Sequence, residues 1–319
     1  MADKKINDIA DLPGVGEKIA EKLKSSGYID MMAVAAASPM ELARTAEIGD
    51  ATAAKIINAA RDVLEIGFET ATKVLERRLK LGKITTSSEN LNNLLGGGVE
   101  TQSITENHGA FSSGKSQFGF QLAVNSQMPA KDGGLNGNCL FVDTENTFRP
   151  DRIVSMAEAL GLNPKEVLEN IHVARAFNSD HQILLIEKAG EMIKDKNIKL
   201  VVVDSVTSLF RSDYLGRGEL ATRQQRLNRH LHTLQRMSEV YNLAVYVTNQ
   251  VMARPDILFG DPTVPIGGHV LAHQAGTRVY LRKSRGDTRI ARLVDSPNLP
   301  EGETVFRITP EGIRDPEEK

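Results

Sequence analysis

A single cysteine, Cys139, is present in the 319-residue chain. One thiol cannot close a disulfide within its own chain, so a reducing compartment is the natural setting. It also excludes a zinc site built from several cysteines. Cys139 sits in the apolar run Cys-Leu-Phe-Val and reads as a buried strand residue, not a nucleophile. No stretch approaches about 18 continuous apolar residues, so nothing reads as a membrane span. The opening Met-Ala-Asp-Lys-Lys has no apolar core behind it, so no signal peptide is expected and the expected compartment is the cytoplasm. Net charge is also scarce. At −2 it neither demands nor excludes a polyanionic partner.

The distribution of charge says more than the total. From Ser205 to Arg236 six arginines (Arg211, Arg217, Arg223, Arg226, Arg229, Arg236) face only Asp213 and Glu219. From Arg278 to Arg292 six bases face only Asp287. Two basic clusters in a mildly acidic chain shift the reading toward contact with a polyanion.

The texture changes along the chain. Residues 1–66 read as a small all-helical domain, rich in alanine and broken at Pro13-Gly14 and at Ser38-Pro39, a helix-start signal. Two hairpin-like patterns occur there, Leu12-Pro13-Gly14-Val15-Gly16 and a weaker echo at Glu47-Ile48-Gly49-Asp50. Residues 67–84 read as a linker with a charged helical stretch. Residues 85–319 alternate short apolar strands with helical patterns: strands at Gln102–Glu106, Asn138–Val142, Ile171–Ala174, Lys199–Val203 and Ala244–Val247. That alternation predicts an α/β core with a mostly parallel sheet covered on both faces. Arg278–Leu281, Arg289–Val294 and Thr304–Thr309 read as antiparallel strands that finish the sheet.

Gly109-Ala110-Phe111-Ser112-Ser113-Gly114-Lys115-Ser116 matches the full phosphate-loop pattern, between a predicted strand and the helical run that starts at Gln117. Its glycines let backbone N–H groups converge on phosphate oxygens, and the helix N-terminus adds positive potential. Lys115 would reach the β- and γ-phosphates of ATP, and the Ser116 hydroxyl would hold Mg2+. The strand Leu200-Val201-Val202-Val203 ends in Asp204, which puts a second metal-holding carboxylate at the same sheet edge. Glu145 follows another strand end. It can act as the base that deprotonates water, or it can be a helix-start acid ahead of Pro150–Leu160, and pattern alone leaves the two open.

At this point the chain resembles the archaeal RadA recombinases, relatives of bacterial RecA and of the eukaryotic strand-exchange proteins. The matching segments are Leu12–Gly16, Phe68–Ala71, Thr85–Gly98, Gly109–Gln117, Asp143–Arg152, Ala174–Ser179, Leu200–Arg211, Tyr214–Gln225, Val247–Asp256, Gly267–His273 and Asp295–Pro300. The resemblance covers essentially the whole chain. It implies a RecA-like ATPase core behind a helix-hairpin-helix domain, and a DNA-dependent ATPase that forms filaments on single strands and promotes homologous pairing and strand exchange. The alternative reading is a regulatory paralogue that binds ATP and DNA but exchanges nothing.

The same resemblance implies roles for individual residues. Glu145 would activate the attacking water, Arg152 would lie against adenine, and Gln250 would sense the γ-phosphate and report to the loop that follows it. Two segments would hold single- and double-stranded DNA: Tyr214–Arg223, with Arg217, Gly218 and Arg223, and Met252–Gly268, with Arg254, Gly267 and Gly268. Arginines there can neutralise phosphates. Aromatics are thin in both, so backbone contact should dominate over base stacking. Phe68 and Ala71 resemble the self-association motif, which would give an open filament or a ring. Asp295–Pro300 resembles the strip that caps the nucleotide of the adjacent subunit, and His273 and Asp295 resemble neighbours of a monovalent cation such as K+. One departure stands out. Ser112 occupies a position where this family usually has glycine. If the loop needs positive φ there, serine costs on the order of 1 kcal/mol.

Overall fold

A computed structural model describes residues 8–26, 28, 31–64, 69–253 and 263–317. The chain divides into two compact units, Met1–Leu79 and Lys80–Lys319. The division falls inside the 67–84 segment read as a linker.

The first unit is helical: α1 (Glu17–Ser25), α2 (Met31–Ala35), α3 (Pro39–Ala46), α4 (Asp50–Val63) and α5 (Ala71–Arg78). Ser38 caps α3 by accepting from Glu41 N at 3.2 Å, with Pro39 in the first turn. Leu12, Leu23, Val34, Leu42, Ile56 and Ile57 close the core. Gly14 holds a φ of +89°, which turns the chain into α1. Gly16 and Gly49 stand as N-caps of α1 and α4 with open space beside both. No side chain at either cap takes up the first helical N–H groups. No residue of α5 is buried.

The second unit runs β1 (Lys83–Ile84), α6 (Glu89–Leu94), β2 (Val99–Glu100), β3 (Ile104–Gly109), α7 (Lys115–Asn125), β4 (Asn138–Asp143), α8 (Pro150–Ala159), α9 (Pro164–Glu169), β5 (Ile171–Arg175), α10 (Ser179–Asp195) and β6 (Ile198–Asp204). It continues with α11 (Ser208–Asp213), α12 (Leu220–Tyr241), β7 (Ala244–Ala253), β8 (Thr263–Pro265), α13 (Gly268–Gln274), β9 (Thr277–Lys283), β10 (Thr288–Asp295), β11 (Gly302–Thr309) and β12 (Gly312–Arg314). The main sheet has the order β12-β11-β10-β9-β3-β7-β6-β4-β5. From β9 to β5 neighbouring strands are parallel, and β10, β11 and β12 complete the sheet antiparallel. Alternation along β6 feeds both faces. Leu200 and Val202 pack with Phe118, Phe141 and Tyr246, while Val201 and Val203 pack with Leu231, Leu234 and Val247. Cys139 is fully buried, and burial pushes its thiol pKa up.

Several boundaries differ from the sequence reading, three of them for a clear physical reason. The strand placed at Gln102 starts at Ile104, because Gln102 has a φ of +61° and ends a turn. The irregular segment placed at Tyr214–Arg223 is shorter, since α12 begins at Leu220. The buried stripe of Leu227, Leu231 and Leu234 anchors that helix, and good helix formers upstream extend it by another two turns. β7 runs past Val247 to Ala253 because β8 pairs with its end, Val251 opposite Pro265 and Ala253 opposite Thr263.

One charged pair lies inside the sheet. Glu106 is wholly buried, and Arg278 Nε donates to its Oε2 at 2.6 Å from the neighbouring strand. Removing one partner strands a charge in a dry interior, at a cost of roughly 3–5 kcal/mol. Arg278→Leu should therefore lower the Tm by about 10 °C in thermal melts. Adding Glu106→Gln to that variant should recover most of the loss, since it removes the charge and keeps an acceptor. An Arg278→Leu protein as stable as the parent would sink this account.

Candidate nucleotide-binding site

β3 delivers the chain to Gly109, and α7 begins six residues later at Lys115. A Cβ on Gly109 would overlap the Leu281 carbonyl of β9, so only glycine lets the loop leave the sheet here. Gly114 holds a φ of +106°, and a Cβ there would strike Ile308 at 2.5 Å. Ser112 holds a φ of +62°. The condition set out for this serine is met, and the loop carries a non-glycine residue in the left-handed region. Ser112→Gly should therefore be tolerated without loss of Tm, whereas the β-branched Ser112→Val should lower it by about 1 kcal/mol equivalent or more. Differential scanning fluorimetry of the two variants checks this, and equal melting of both would show that the backbone is not under steric load.

Lys115 Nζ donates to the carbonyls of Gly109 at 2.8 Å and Ala110 at 2.9 Å. Burial pulls its pKa down, and the carboxylates of Asp204 and Glu145 push it back up. The first turn of α7 is fixed from behind. Tyr246 OH donates to the Lys115 carbonyl at 2.8 Å, and its ring stacks on Phe118 at 5.4 Å. Ser113 is buried, and Phe111 projects from the loop tip 96% exposed.

The acidic edge faces this loop. Asp204 ends β6 and is buried, accepting from the hydroxyls of Ser116 and Thr248 and, at 3.4 Å, of Thr147. Burial raises its pKa above the ordinary carboxylate value, and the two closer hydroxyls oppose the rise. Asp143, at the end of β4, was passed over in the sequence as a strand end. Its carboxylate accepts from the backbone N–H groups of Glu145 and Thr147 at 3.1 Å and of Phe148 at 3.0 Å. That turn holds Glu145 toward the phosphate loop. Asp followed by a turn of small polar residues was the available signal. Gln250 Nε2 donates to Glu145 Oε1 at 2.8 Å, so β4 and β7 meet across the edge. The Glu145 carboxyl is raised above the ordinary glutamate value, first by partial burial and then by the charge of Asp204, while Gln250 and Lys115 oppose the rise.

Arg152, in the first turn of α8, donates to Gln117 Oε1 at 2.6 Å and to the carbonyls of Thr309 and Pro310. It is thereby tied to the phosphate-loop helix, one residue beyond Ser116. Lys115, Ser116, Gln117, Glu145, Arg152, Asp204 and Gln250 are thus linked within this one region. Asp295 and Pro300 are not. Antiparallel register puts Asp295 opposite Arg278 at one end of β10, while Arg289, at the other end, lies beside Gly114. The strip from Asp295 to Pro300 therefore begins at the end of β10 opposite to the one beside the loop.

The remaining residues lie on other segments. Arg217 and Gly218 fall in the short connection between α11 and α12, and Arg223 is half-buried in the first turn of α12. Gly267 and Gly268 hold φ of +96° and +60° and open α13, which also carries His273. Ala71 is the first residue of α5. Phe68 and Arg254 lie outside the described residues. Away from the loop, a cavity of about 210 Å³ opens between β4, β5 and α10, lined by Leu140, Val142, His172, Ala174, Leu185 and Ala189.

The donor set suits a hard divalent cation. Ser116 and Asp204 supply oxygens side by side, and no cluster of three or more His, Cys, Asp or Glu forms a protein-only metal cage among the described residues. Mg2+ is ordinarily held in that way, by one or two protein oxygens plus substrate phosphates. The N-terminus of α7, which no side chain caps, likewise suits an anion such as phosphate.

Comparison with known proteins gives three findings. The Rad51 family model matches residues 77–316. A model described as a SAM-like helix-hairpin-helix tandem matches residues 6–62. The chain is 56% identical over 314 residues, 98% of each chain, to the DNA repair and recombination protein RadA of Aeropyrum pernix.

Proposed function

The chain belongs to the Rad51 family of recombinases, and from that premise we propose that its ATP site, shared between neighbouring subunits, switches DNA-binding segments on and off. The family's activity is DNA-dependent ATP hydrolysis in recombination and repair, with ATP and Mg2+. Relatedness over 98% of the length favours a strand-exchange protein over a regulatory paralogue, for which no observation speaks. No described helix is long and apolar enough to cross a membrane.

The observation that carries the reading is the contact of Gln250 with Glu145. It joins a base at the edge of the nucleotide site to the strand that leads into Met252–Gly268. In this mechanism Ser116 and Asp204 would hold magnesium, which would supply neutralisation of phosphate charge. Lys115 leaves the loop carbonyls for phosphate oxygens, and the backbone N–H groups of residues 110–117 cradle the chain. Glu145 takes a proton from water as the water oxygen bonds to the γ-phosphorus and the bond to the β-phosphate oxygen breaks. Gln250 then loses one partner or gains another, and the switch moves with it. Arg152 packs beside the base end.

Asp295 and Pro300 complete the site of the next subunit, with K+ near Asp295. The register of β10 supports this, because it puts Asp295 at the far end of the strand from the residue beside their own phosphate loop, Arg289. Phe68 and Ala71 dock on that neighbour, and the cavity under β5 has the apolar lining an aromatic anchor needs. Head-to-tail docking gives a filament, or a ring where it closes. Arg217, Gly218, Arg223, Arg254, Gly267 and Gly268 hold single- and double-stranded DNA by its backbone, with the helix-hairpin-helix domain of residues 1–66, a linker over 67–84 and the core from 85 onward as the working division. The single buried cysteine favours the reducing cytoplasm.

A joint-molecule assay with ATP, Mg2+ and homologous DNA tests the function. DNA binding without strand exchange would leave the paralogue reading in its place. For assembly, Phe68→Ala should convert filaments to soluble monomers by electron microscopy and light scattering, and long filaments in that variant would overturn the anchor.

A further inference from the structure

Asn249 and Gln250 are consecutive on β7, so their side chains point to opposite faces of the sheet. Gln250 reaches the nucleotide edge. Asn249 points the other way and is completely buried. Both ends of its amide are used. Nδ2 donates to Glu106 Oε1 at 2.8 Å and to the Ile266 carbonyl at 2.6 Å, and Oδ1 accepts from Thr207 Oγ1 at 2.7 Å. Ile266 N in turn donates to the Gln250 carbonyl at 2.9 Å.

The three partners belong to three separate segments. Thr207 comes three residues after Asp204 and immediately before α11, the helix that leads into the connection carrying Arg217. Ile266 follows β8, on the return side of the Met252–Gly268 segment. Glu106 is on β3, three residues before the phosphate loop begins, and is itself pinned by Arg278. Only a primary amide can serve all three. A carboxylate lacks the two donors and would sit against Glu106, and an aliphatic group would leave a buried carbonyl, a buried carboxylate oxygen and a hydroxyl short of partners.

We infer that Asn249 is a positioning residue that couples Thr207, ahead of α11, to Ile266, ahead of α13, so that both shift together when Gln250 responds to the nucleotide. The inference rests on the switch reading given above. A displacement of Gln250 must carry the peptide that follows Asn249. The amide passes that displacement to Ile266 and Thr207 together, while Glu106 fixes the pivot to the sheet. Asn249 is completely buried, so it acts through these neighbours.

The test uses the full chain, a fluorescent oligo-dT, and either a non-hydrolysable ATP analogue with Mg2+ or ADP with Mg2+. The parent protein should bind oligo-dT at least about tenfold more tightly with the analogue than with ADP, an ordinary allosteric coupling. In Asn249→Ala that ratio should fall below about threefold, with nucleotide affinity kept. Thr207→Val guards against misfolding, since it removes one hydroxyl and little else, and it should lower the ratio in the same direction with the Tm nearly unchanged. A merely structural amide would lower the Tm and weaken both nucleotide states equally, leaving the ratio intact. An intact ratio in both variants overturns the inference. A parent protein with no ratio to lose overturns the switch reading instead.

Discussion

Lys115→Ala should lower ATP hydrolysis by on the order of a thousandfold and abolish nucleotide-dependent DNA binding, while the protein stays folded. The size follows from what the ammonium does. It is the cation at the centre of a loop whose other donors are backbone N–H groups. It also stands between two carboxylates, Asp204 and Glu145, whose charges already act on it. Without it, phosphate charge would be brought up to that acidic edge with only magnesium, the backbone N–H groups and the α7 N-terminus as counterweights. Folding should survive because the lysine's hydrogen bonds go to two carbonyls at the loop mouth, Gly109 and Ala110. The helix behind it is held independently by Tyr246 on the Lys115 backbone and by the packing of Phe118. Steady-state phosphate release and oligo-dT binding with and without ATP provide the measurement. Hydrolysis within tenfold of the parent would remove Lys115 from the centre of the site.

The parts of this molecule that were legible in the sequence are those enforced over a few residues. The phosphate loop could be read directly because its whole pattern falls within eight residues, Gly109 to Ser116, although the groups that exclude a Cβ at Gly109 and Gly114, Leu281 and Ile308, come from far along the chain. β6 is buried on both faces and therefore reads as an unbroken apolar run ending in Asp204. The Asn249 hub was not legible. Its partners stand 42, 143 and 17 residues away, and nothing in a polar residue near a strand end says which way it faces. Glu106 was invisible for the same reason. A buried carboxylate is tolerable only with Arg278, which is 172 residues distant and adjacent only once β9 lies beside β3. The true start of α12 was missed because a glycine- and arginine-rich stretch resembles a loop until the buried leucines downstream are counted. Local chemistry writes local signals, and long-range pairing leaves few.

Glu145→Gln should lower the turnover number by about a hundredfold or more with ATP binding retained. The amide keeps the size of the side chain and can still bond Gln250, so the site should stay assembled, but it cannot accept a proton from water. The pH dependence supplies the finer test. The base works only when ionised, so hydrolysis must fall as pH drops through its pKa. Because partial burial and Asp204 raise that pKa, the acid limb should lie above the ordinary glutamate value of about 4.3. Gln250 opposes the rise through its hydrogen bond. Gln250→Ala should therefore move the acid limb to still higher pH, in addition to whatever it does to DNA coupling. A neutral bystander amide would leave the limb in place, and a γ-phosphate sensor with no hold on the base would change DNA affinity alone. An acid limb in Gln250→Ala that coincides with that of the parent would separate the two residues, and Glu145 would then have to be set by Asp143, Asp204 and Lys115 without its partner on β7.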